Sequence, residues 1–374
     1  MREPIGIGII GTGFARRVQI PAFRACDGAE VVSVASGSIE NAKATAEEFG
    51  IEHFSDDWRE TVSRDDVDLV CITTPPKLHR EMTLFAAECG KHILCEKPMA
   101  MNVAEAEEMT AAARKAGVLA LIDHELRFLP GRRQAYEMLR DGAIGKVRHA
   151  KYNFRALYRG DPDLPWNWWS DATQGGGALG AINSHVVDSL YWFLGTEISS
   201  VYCQLATLVK KRRDMSGQLR DVTSDDEANM IVRFADSDVA EDATGLVSVS
   251  MAEPPKPMNR VEFFGTEGSM RVDQFGELSI AKKGDGDWQQ IEVDLSRPIE
   301  GVGDSGFPRG FLKFAPEIIK AIREGKTVLE NAATFEDGVK VQRVLDAARE
   351  SNASGRTVQL DQNADLASRA DSHG

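Results

Sequence analysis

No uncharged run in this chain approaches the ~18 apolar residues that a membrane-spanning helix needs, so no membrane partner is expected. Positive charge is in deficit: 44 Lys and Arg stand against 58 Asp and Glu, a formal charge of −14. That excess repels polyanions over most of the surface and argues against a nucleic-acid partner. Cysteine is scarce and unpatterned. Cys26, Cys71, Cys89, Cys95 and Cys203 are odd in number, with neither C-x-x-C spacing nor a histidine-rich neighbourhood. Neither a disulfide framework nor a zinc site is indicated, and a reduced cytoplasm without a bound metal is the expectation. The N-terminus passes straight into a strand-like run, without the separate apolar stretch and cleavage site of a secretory leader. There is no internal repeat.

The first third alternates. Short apolar runs at Ile5 to Ile10, Val31 to Ala35, Val67 to Thr73, His92 to Cys95 and Val118 to Ile122 are separated by helical patterns at 41–49, 77–89 and 103–115. Strands alternating with helices predict a parallel sheet covered on both faces, a doubly wound α/β domain. With 374 residues the chain is also longer than one core usually serves. The pattern changes after Pro130. Extended runs with polar turns, among them Ala228 to Phe234, Thr244 to Met251, Arg260 to Phe264 and Ser269 to Asp273, predict a large open, mostly antiparallel sheet. Helices are predicted at 132–140, downstream of Gly175 to Gly177, and again at 311–324 and 334–351. The charged stretch 210–224 reads as a solvated loop or a partner-facing excursion. The expected organisation is a dinucleotide-binding domain at 1–123 and a substrate-binding and oligomerisation α+β domain at 124–360. The late helices are free to pack back on the first domain, and a polar tail follows at 361–374.

The first strand feeds Gly11, Thr12, Gly13, Phe14 and Ala15. A first glycine permits the tight strand-to-helix turn, and a second lets a pyrophosphate approach the backbone at the helix N-terminus. Arg16 occupies the third glycine position. The acidic residue that usually meets the ribose 2′-hydroxyl, about 20 residues on, is replaced by Ser36, Gly37 and Ser38. No carboxylate stands within that triplet to repel a 2′-phosphate, so the cofactor reads as NAD or NADP with a lean to NADP. Lys97, fixed between Glu96 and Pro98 at the carboxyl end of a strand, lies on the edge where such sheets bind ligands. Its ammonium is suited to orienting a substrate hydroxyl or, if desolvated, to accepting a proton.

In the second half, His185 reads either as a packed histidine on an apolar helix or as an acid–base group. His124, Glu125 and Arg127 follow the last strand of the first domain, where they contact substrate or pack the two domains together. Trp166, Trp168 and Trp169 offer aromatic faces to a sugar ring, to a subunit interface or to the core; Trp168 is taken as the substrate neighbour. Tyr158 and Arg159 are further pocket candidates.

The order of motifs resembles the glucose-fructose oxidoreductase, inositol dehydrogenase and rhizopine catabolism family of oxidoreductases. The matching pieces are the turn Gly11 to Phe14, the run Thr73 to His79 and the run Gly90 to Pro98. Farther on come Gly175 to Leu179 with His185 and Asp188, and finally Thr334 to Gly338. The resemblance implies a Rossmann domain and an open-sheet domain that assembles homodimers or homotetramers. It implies hydride exchange between nicotinamide and a carbinol or keto carbon of a sugar, polyol or related cyclic substrate. Lys97 matches the family's catalytic lysine and His185 its catalytic histidine. Thr73, Thr74, Pro75 and His79 match positions lining the cofactor, and Glu96 the carboxylate on the nicotinamide side. Arg127, Trp168, Asn183 and His185 are taken to contact substrate. The departure is Ala181, where many members carry an aspartate one helical turn before the histidine, and Asn183 stands where a glycine is common. Two other readings stay open: a redox-neutral elimination or glycoside cleavage with a recycled cofactor, and a non-catalytic dinucleotide-binding sensor.

Overall fold

The computed structural model describes residues 4–295, 298 and 302–360; the predicted polar tail lies outside the described residues. The first sheet contains β1 (Ile5–Ile10), β2 (Ala29–Ala35), β3 (His53–Ser55), β4 (Leu69–Ile72), β5 (His92–Cys95) and β6 (Ala120–Ile122). These six pair in parallel in the order β6-β5-β4-β1-β2-β3, and Ala333–Thr334 adds an antiparallel edge beside β6. The order reverses between β1 and β4, and the glycine turn leaves the carboxyl end of β1 at that reversal, where doubly wound sheets bind ligands. β1 is wholly buried, as expected of a strand covered on both faces. Its glycines make room for its neighbours: a Cβ on Gly6 would lie 1.7 Å from the Asp66 carbonyl oxygen, and one on Gly8 would lie 2.8 Å from the Thr61 methyl.

The connecting helices begin and end on local chemistry. Ser38 caps α2 (Ile39–Phe49) by accepting from the Asn41 N–H, and Gly50 closes it at φ 64°. Asn102 caps α5 (Val103–Ala116) in the same way through the Glu105 N–H. Between them α3 (Trp58–Val62) and α4 (His79–Glu88) complete the series, with α1 (Ile20–Arg24) preceding β2. β3 and α3 were not predicted, because segments of three and five residues are too short to show a period.

After α6 (Pro130–Arg140) comes a nine-stranded sheet. It is built from β7 (Val147–Arg155), β8 (Ile198–Ala206), β11 (Glu227–Phe234), β12 (Ala240–Ser250), β13 (Met258–Gly265), β14 (Gly268–Val272), β15 (Leu278–Lys282) and β16 (Gln289–Ile291), with Val358–Gln359 at the far edge. β7 lies at its centre, antiparallel to β13 and parallel to β12, and every other pair is antiparallel. The inner face packs on α7 (Ser184–Leu194) and α9 (Phe335–Ser354). The stretch 210–224 differs from expectation. It folds into a hairpin of β9 (Lys211–Arg213) and β10 (Leu219–Asp221), and Arg212 is 1% exposed, its guanidinium donating to the carbonyls of Arg159, Asp161 and Leu164. Charge in that sequence conceals an anchor.

α8 (Gly306–Arg323) returns to the first sheet, where Phe311, Phe314, Ile318 and Ile322 join the core with Ile7, Ile9 and Phe23. It starts five residues before the predicted boundary, since Gly306, Pro308 and Gly310 mask its period. Gly310 is required there: a Cβ would lie 2.4 Å from the Glu125 carbonyl oxygen.

The clash at the buried strand gives a test of this packing. Gly6→Ala is expected to destabilise the fold by about 1–3 kcal/mol, as overpacking does. Urea unfolding should show a lower midpoint at unchanged slope.

Candidate active site

Gly11 adopts φ +98°, a conformation that favours glycine, and a Cβ there would lie 2.6 Å from the Thr73 carbonyl oxygen. Gly13 faces open space, with nothing within 4 Å of a would-be Cβ, so the turn offers the close approach that a pyrophosphate needs. The next residues, Ala15–Gln19, form a π-helical turn; Ala15 is buried in the core, and half-buried Phe14 packs edge-on against Phe311. Both side chains pack inward, which leaves the main chain of the turn to meet a cofactor. Thr12 stands half-buried in the turn itself. The Thr73 hydroxyl lies 2.9 Å from the Gly11 carbonyl oxygen and fixes the turn to β4.

The end of β2 departs from the sequence reading. Ser38 Oγ donates to Glu40 Oε2 at 2.7 Å while accepting from Asn41, and Ser36 Oγ accepts from the Ser38 N–H. A carboxylate absent from the triplet is thus delivered from two residues farther on. Arg16, in the third glycine position, is paired with Glu48.

His79 is 0% exposed. Its ring lies 2.9 Å from the Thr74 carbonyl and 3.1 Å from that of Pro98, so it clamps the loop Thr74 and Pro75 to the loop after Lys97 rather than offering a nitrogen to cofactor. That corrects its expected role.

Lys97 keeps 21% of its side chain exposed, with its ammonium 3.5 Å from Glu96. Burial alone pulls its pKa down, but Glu96, Glu125 and Asp123 together outweigh burial and raise it above the ordinary lysine value. The shift favours the ammonium form, which suits Lys97 to orienting a substrate oxygen. Behind it Gln19, wholly buried, donates to Asp123 at 2.8 Å and to Glu96 at 3.3 Å. Burial and the carboxylates Glu125 and Glu96 push the Asp123 carboxyl well above the usual range.

His185 follows a π-helical turn, Leu179–Asn183, and is 2% exposed. Its Nδ1 lies 3.3 Å from His124 Nδ1 and 3.9 Å from Glu125 Oε2, and the Phe307 ring stands 4.9 Å away. Burial, helped by Lys97, His124 and Arg132, holds its pKa well below that of an ordinary histidine. His124 is depressed likewise by burial and by Arg127 and Lys97. Both rings are neutral near neutral pH. The Nε2 of His185 makes no hydrogen bond to another described residue.

Two residues expected at the substrate are otherwise engaged. Arg127 is 6% exposed and grips Asp188 through two hydrogen bonds of 3.0 and 2.6 Å, with Asp337 at 3.2 Å. Asn183 is 0% exposed and directs its amide at the Ala228 carbonyl of β11. Arg127 joins the interdomain turn to α7 and α9, the packing arrangement named for it above. Among the tryptophans, Trp166 donates to the Asp221 carbonyl and carries Arg220 over its ring, and Trp169 lies under Arg159. Trp168 has only Trp169 as an aromatic neighbour among the described residues. Gln19 and Asp123 escaped the sequence reading, and Asp337 stood out only as part of the run Thr334 to Gly338. A polar residue placed after an apolar strand or on the first turn of a helix resembles ordinary solvated surface until the fold buries it. Among the described residues no group of three or more His, Cys, Asp or Glu is placed to hold a metal ion.

Comparison with known proteins decides what this arrangement belongs to. Residues 5–124 match the oxidoreductase family described as having an NAD-binding Rossmann fold, and residues 132–271 match the GFO/IDH/MocA C-terminal domain. The chain belongs to the GFO/IDH/MocA family. Like its relatives, this GFO/IDH/MocA protein is an NAD(P)-dependent oxidoreductase. Levoglucosan dehydrogenase of Pseudarthrobacter phenanthrenivorans is 30% identical, covering 96% of this chain and 99% of its own. Glucose-fructose oxidoreductase domain-containing protein 2 of Xenopus tropicalis is 31% identical, covering 95% and 93%. A solved levoglucosan dehydrogenase in complex with NADH and levoglucosan superposes with a TM-score of 0.85 at 28% identity, covering 96% of this chain and 100% of that one.

Arg127→Met, which strands the buried Asp188 carboxylate, is expected to cost about 3–5 kcal/mol of stability, as breaking a buried ion pair does. Denaturant unfolding of the variant against wild type measures it.

Proposed function

We propose that this protein moves a hydride between NAD(H) and a carbinol or keto carbon of a cyclic, sugar-like substrate. Residues 1–123 hold the cofactor, and 124–360 supply the substrate site and the subunit interface. The observation that carries the reading is that Lys97 from the first domain and His185 from the second converge on one buried cluster of carboxyls, Lys97 beside Glu96 and His185 beside Glu125. Gly11, Thr12 and Gly13 would cradle the pyrophosphate, Ser36 and Ser38 face the adenosine ribose, and Thr74 and Pro75 border the nicotinamide half. The bound cofactor supplies the hydride chemistry, and the protein supplies orientation and electrostatics. Lys97 holds the substrate oxygen and stabilises negative charge as it develops there. His185 Nε2 takes the hydroxyl proton in oxidation and returns it in reduction. Trp168 offers a face to the C–H side of the ring.

Glu40 at Ser38 favours NAD over NADP, against the lean that the triplet alone suggested, because a carboxylate beside the ribose repels a 2′-phosphate and accepts from a 2′-hydroxyl. The levoglucosan dehydrogenase solved with NADH supports the same choice. Five thiols without a disulfide support a reducing cytoplasm. Among the described residues no helix is long and apolar enough to cross a membrane.

A homodimer or homotetramer through the outer face of the nine-stranded sheet is part of the proposal. Tyr202, Ile231 and Leu246 stand side by side across β8, β11 and β12, 39%, 58% and 45% exposed, and Lys151 and Glu262 extend the row. An apolar row flanked by opposite charges suits a second copy of the same face.

Tryptophan quenching by NADH and NADPH in parallel tests the cofactor. NADH is expected to bind in the micromolar range and more tightly than NADPH. Lys97→Met should lower kcat with levoglucosan and NAD by about 10²–10³-fold with NADH binding little changed. Saturable binding of neither cofactor to folded, cofactor-free protein overturns the reading. Sedimentation should give a dimer or larger, and Ile231→Arg should shift it toward monomer.

A further inference from the structure

A neutral imidazole passes a proton out of one ring nitrogen only if the other nitrogen receives one, and His185 is neutral. Two groups face its Nδ1: His124 Nδ1 at 3.3 Å and Glu125 Oε2 at 3.9 Å. His124 is a poor source, because its own far nitrogen meets only Asp188, 4.0 Å away and already gripped by Arg127. Glu125 is 1% exposed, and its Oε2 makes no hydrogen bond to any described residue. A buried carboxyl oxygen without a partner, aimed at the ring of an acid–base group, is costly unless it serves some purpose. Ala181, where many family members carry an aspartate, leaves His185 without a carboxyl one turn before it, and Asp188, three residues beyond it on α7, is gripped by Arg127. Gly310 of α8 and the Phe307 ring close the opposite side, the glycine allowing the helix to rest on the Glu125 backbone.

We propose that Glu125 is the positioning residue that holds the proton behind His185, replacing from the interdomain turn the carboxyl that Ala181 lacks; this rests on the hydride-transfer reading above. In reduction, the substrate carbonyl carbon would gain its hydride from NADH, and its oxygen takes the proton from His185 Nε2. The Glu125 O–H bond breaks as its proton passes to His185 Nδ1. The ring ends neutral in its other tautomer, Glu125 ends as a carboxylate facing Lys97, and one proton has moved from Glu125 to substrate. Oxidation is the reverse. Hydrogen bonds of this kind commonly run long before substrate binds and tighten in the complex.

The surroundings suit a proton store. Burial first, then Glu96, raise the Glu125 carboxyl well above the usual range, against Lys97, with Asp188 adding to the rise. Facing it are Glu96 and Lys97 from the end of β5, Asp123 and His124 beside β6, and His185 and Asp188 on α7. Arg127 and Arg132 lie behind these, and α8 presents Gly310 and Phe307. Glu125 therefore keeps its proton where an exposed glutamate has lost it. As pH rises through that elevated pKa the donor disappears, so reduction should slow on the alkaline side.

The full-length protein would be assayed with NADH and D-fructose, L-sorbose or 1,5-anhydro-D-fructose. Glu125→Gln preserves shape and removes only the ionisation, and melting temperature checks its fold. Its kcat is expected to fall about 10²–10³-fold and its pH profile to lose the alkaline limb, while NADH binding by tryptophan quenching stays within about two-fold. Adding Ala181→Asp to that variant should restore at least about ten-fold of the loss. Infrared spectroscopy should find a protonated carboxylic acid in the wild type at neutral pH that the variant lacks. An unchanged kcat with the alkaline limb intact overturns the relay, and so does transfer of both effects to His124→Asn. Wild type that reduces none of the three ketones fails the hydride-transfer reading and the relay with it, whereas active wild type beside an unaffected variant fails the relay alone.

Discussion

Three carboxyl groups, Glu96, Asp123 and Glu125, are shut away from water where the two sheets meet, and a single ammonium stands among them. Charge cannot be buried in that number without compensation. Lys97 keeps its ammonium beside Glu96, while burial favours the protonated forms of Asp123 and Glu125 that solvent would have ionised. The imidazoles of His124 and His185 are kept neutral by burial and by nearby cations. The assignment of cation, base and proton store thus follows from one arrangement of charges rather than from the residue types.

The doubly wound sheet was legible in the sequence because its strands are continuous apolar runs and its helices carry caps. Ile5–Ile10 and His92–Cys95 fall where the runs predict them, and Asn102 and Gly117 bracket α5. The second sheet was legible as a class, although the parallel pairing of β7 with β12 cannot be read from alternation. The site was legible in outline. Lys97 and His185 stand out by motif, and His124 and Glu125 by their place at the junction. Local sequence could not say which charged groups would find each other across long separations. Arg127 looks like a pocket residue until Asp188 and Asp337 claim it, and Ser36 to Ser38 look free of carboxylates until the helix start delivers Glu40.

Two π-helical turns flank the candidate site, one after the glycine turn and one before His185. Such a turn widens the helix by one residue and redirects the side chains that follow. The first ends on Gln19, which reaches the buried carboxyls, and the second delivers His185 to the same cluster from the other domain. Elements far apart in sequence are aimed at one point by the same local distortion.

α8 and the edge strand Ala333–Thr334 come from the last quarter of the chain, yet they complete the sheet built by the first third. During synthesis that sheet waits for the helix that packs on Ile7, Ile9 and Phe23 while eight of the nine strands of the second sheet emerge. The N-terminal unit, although first off the ribosome, is therefore among the last to be sealed. A growing chain halted before Gly306 would display that apolar face to any chaperone or neighbour within reach.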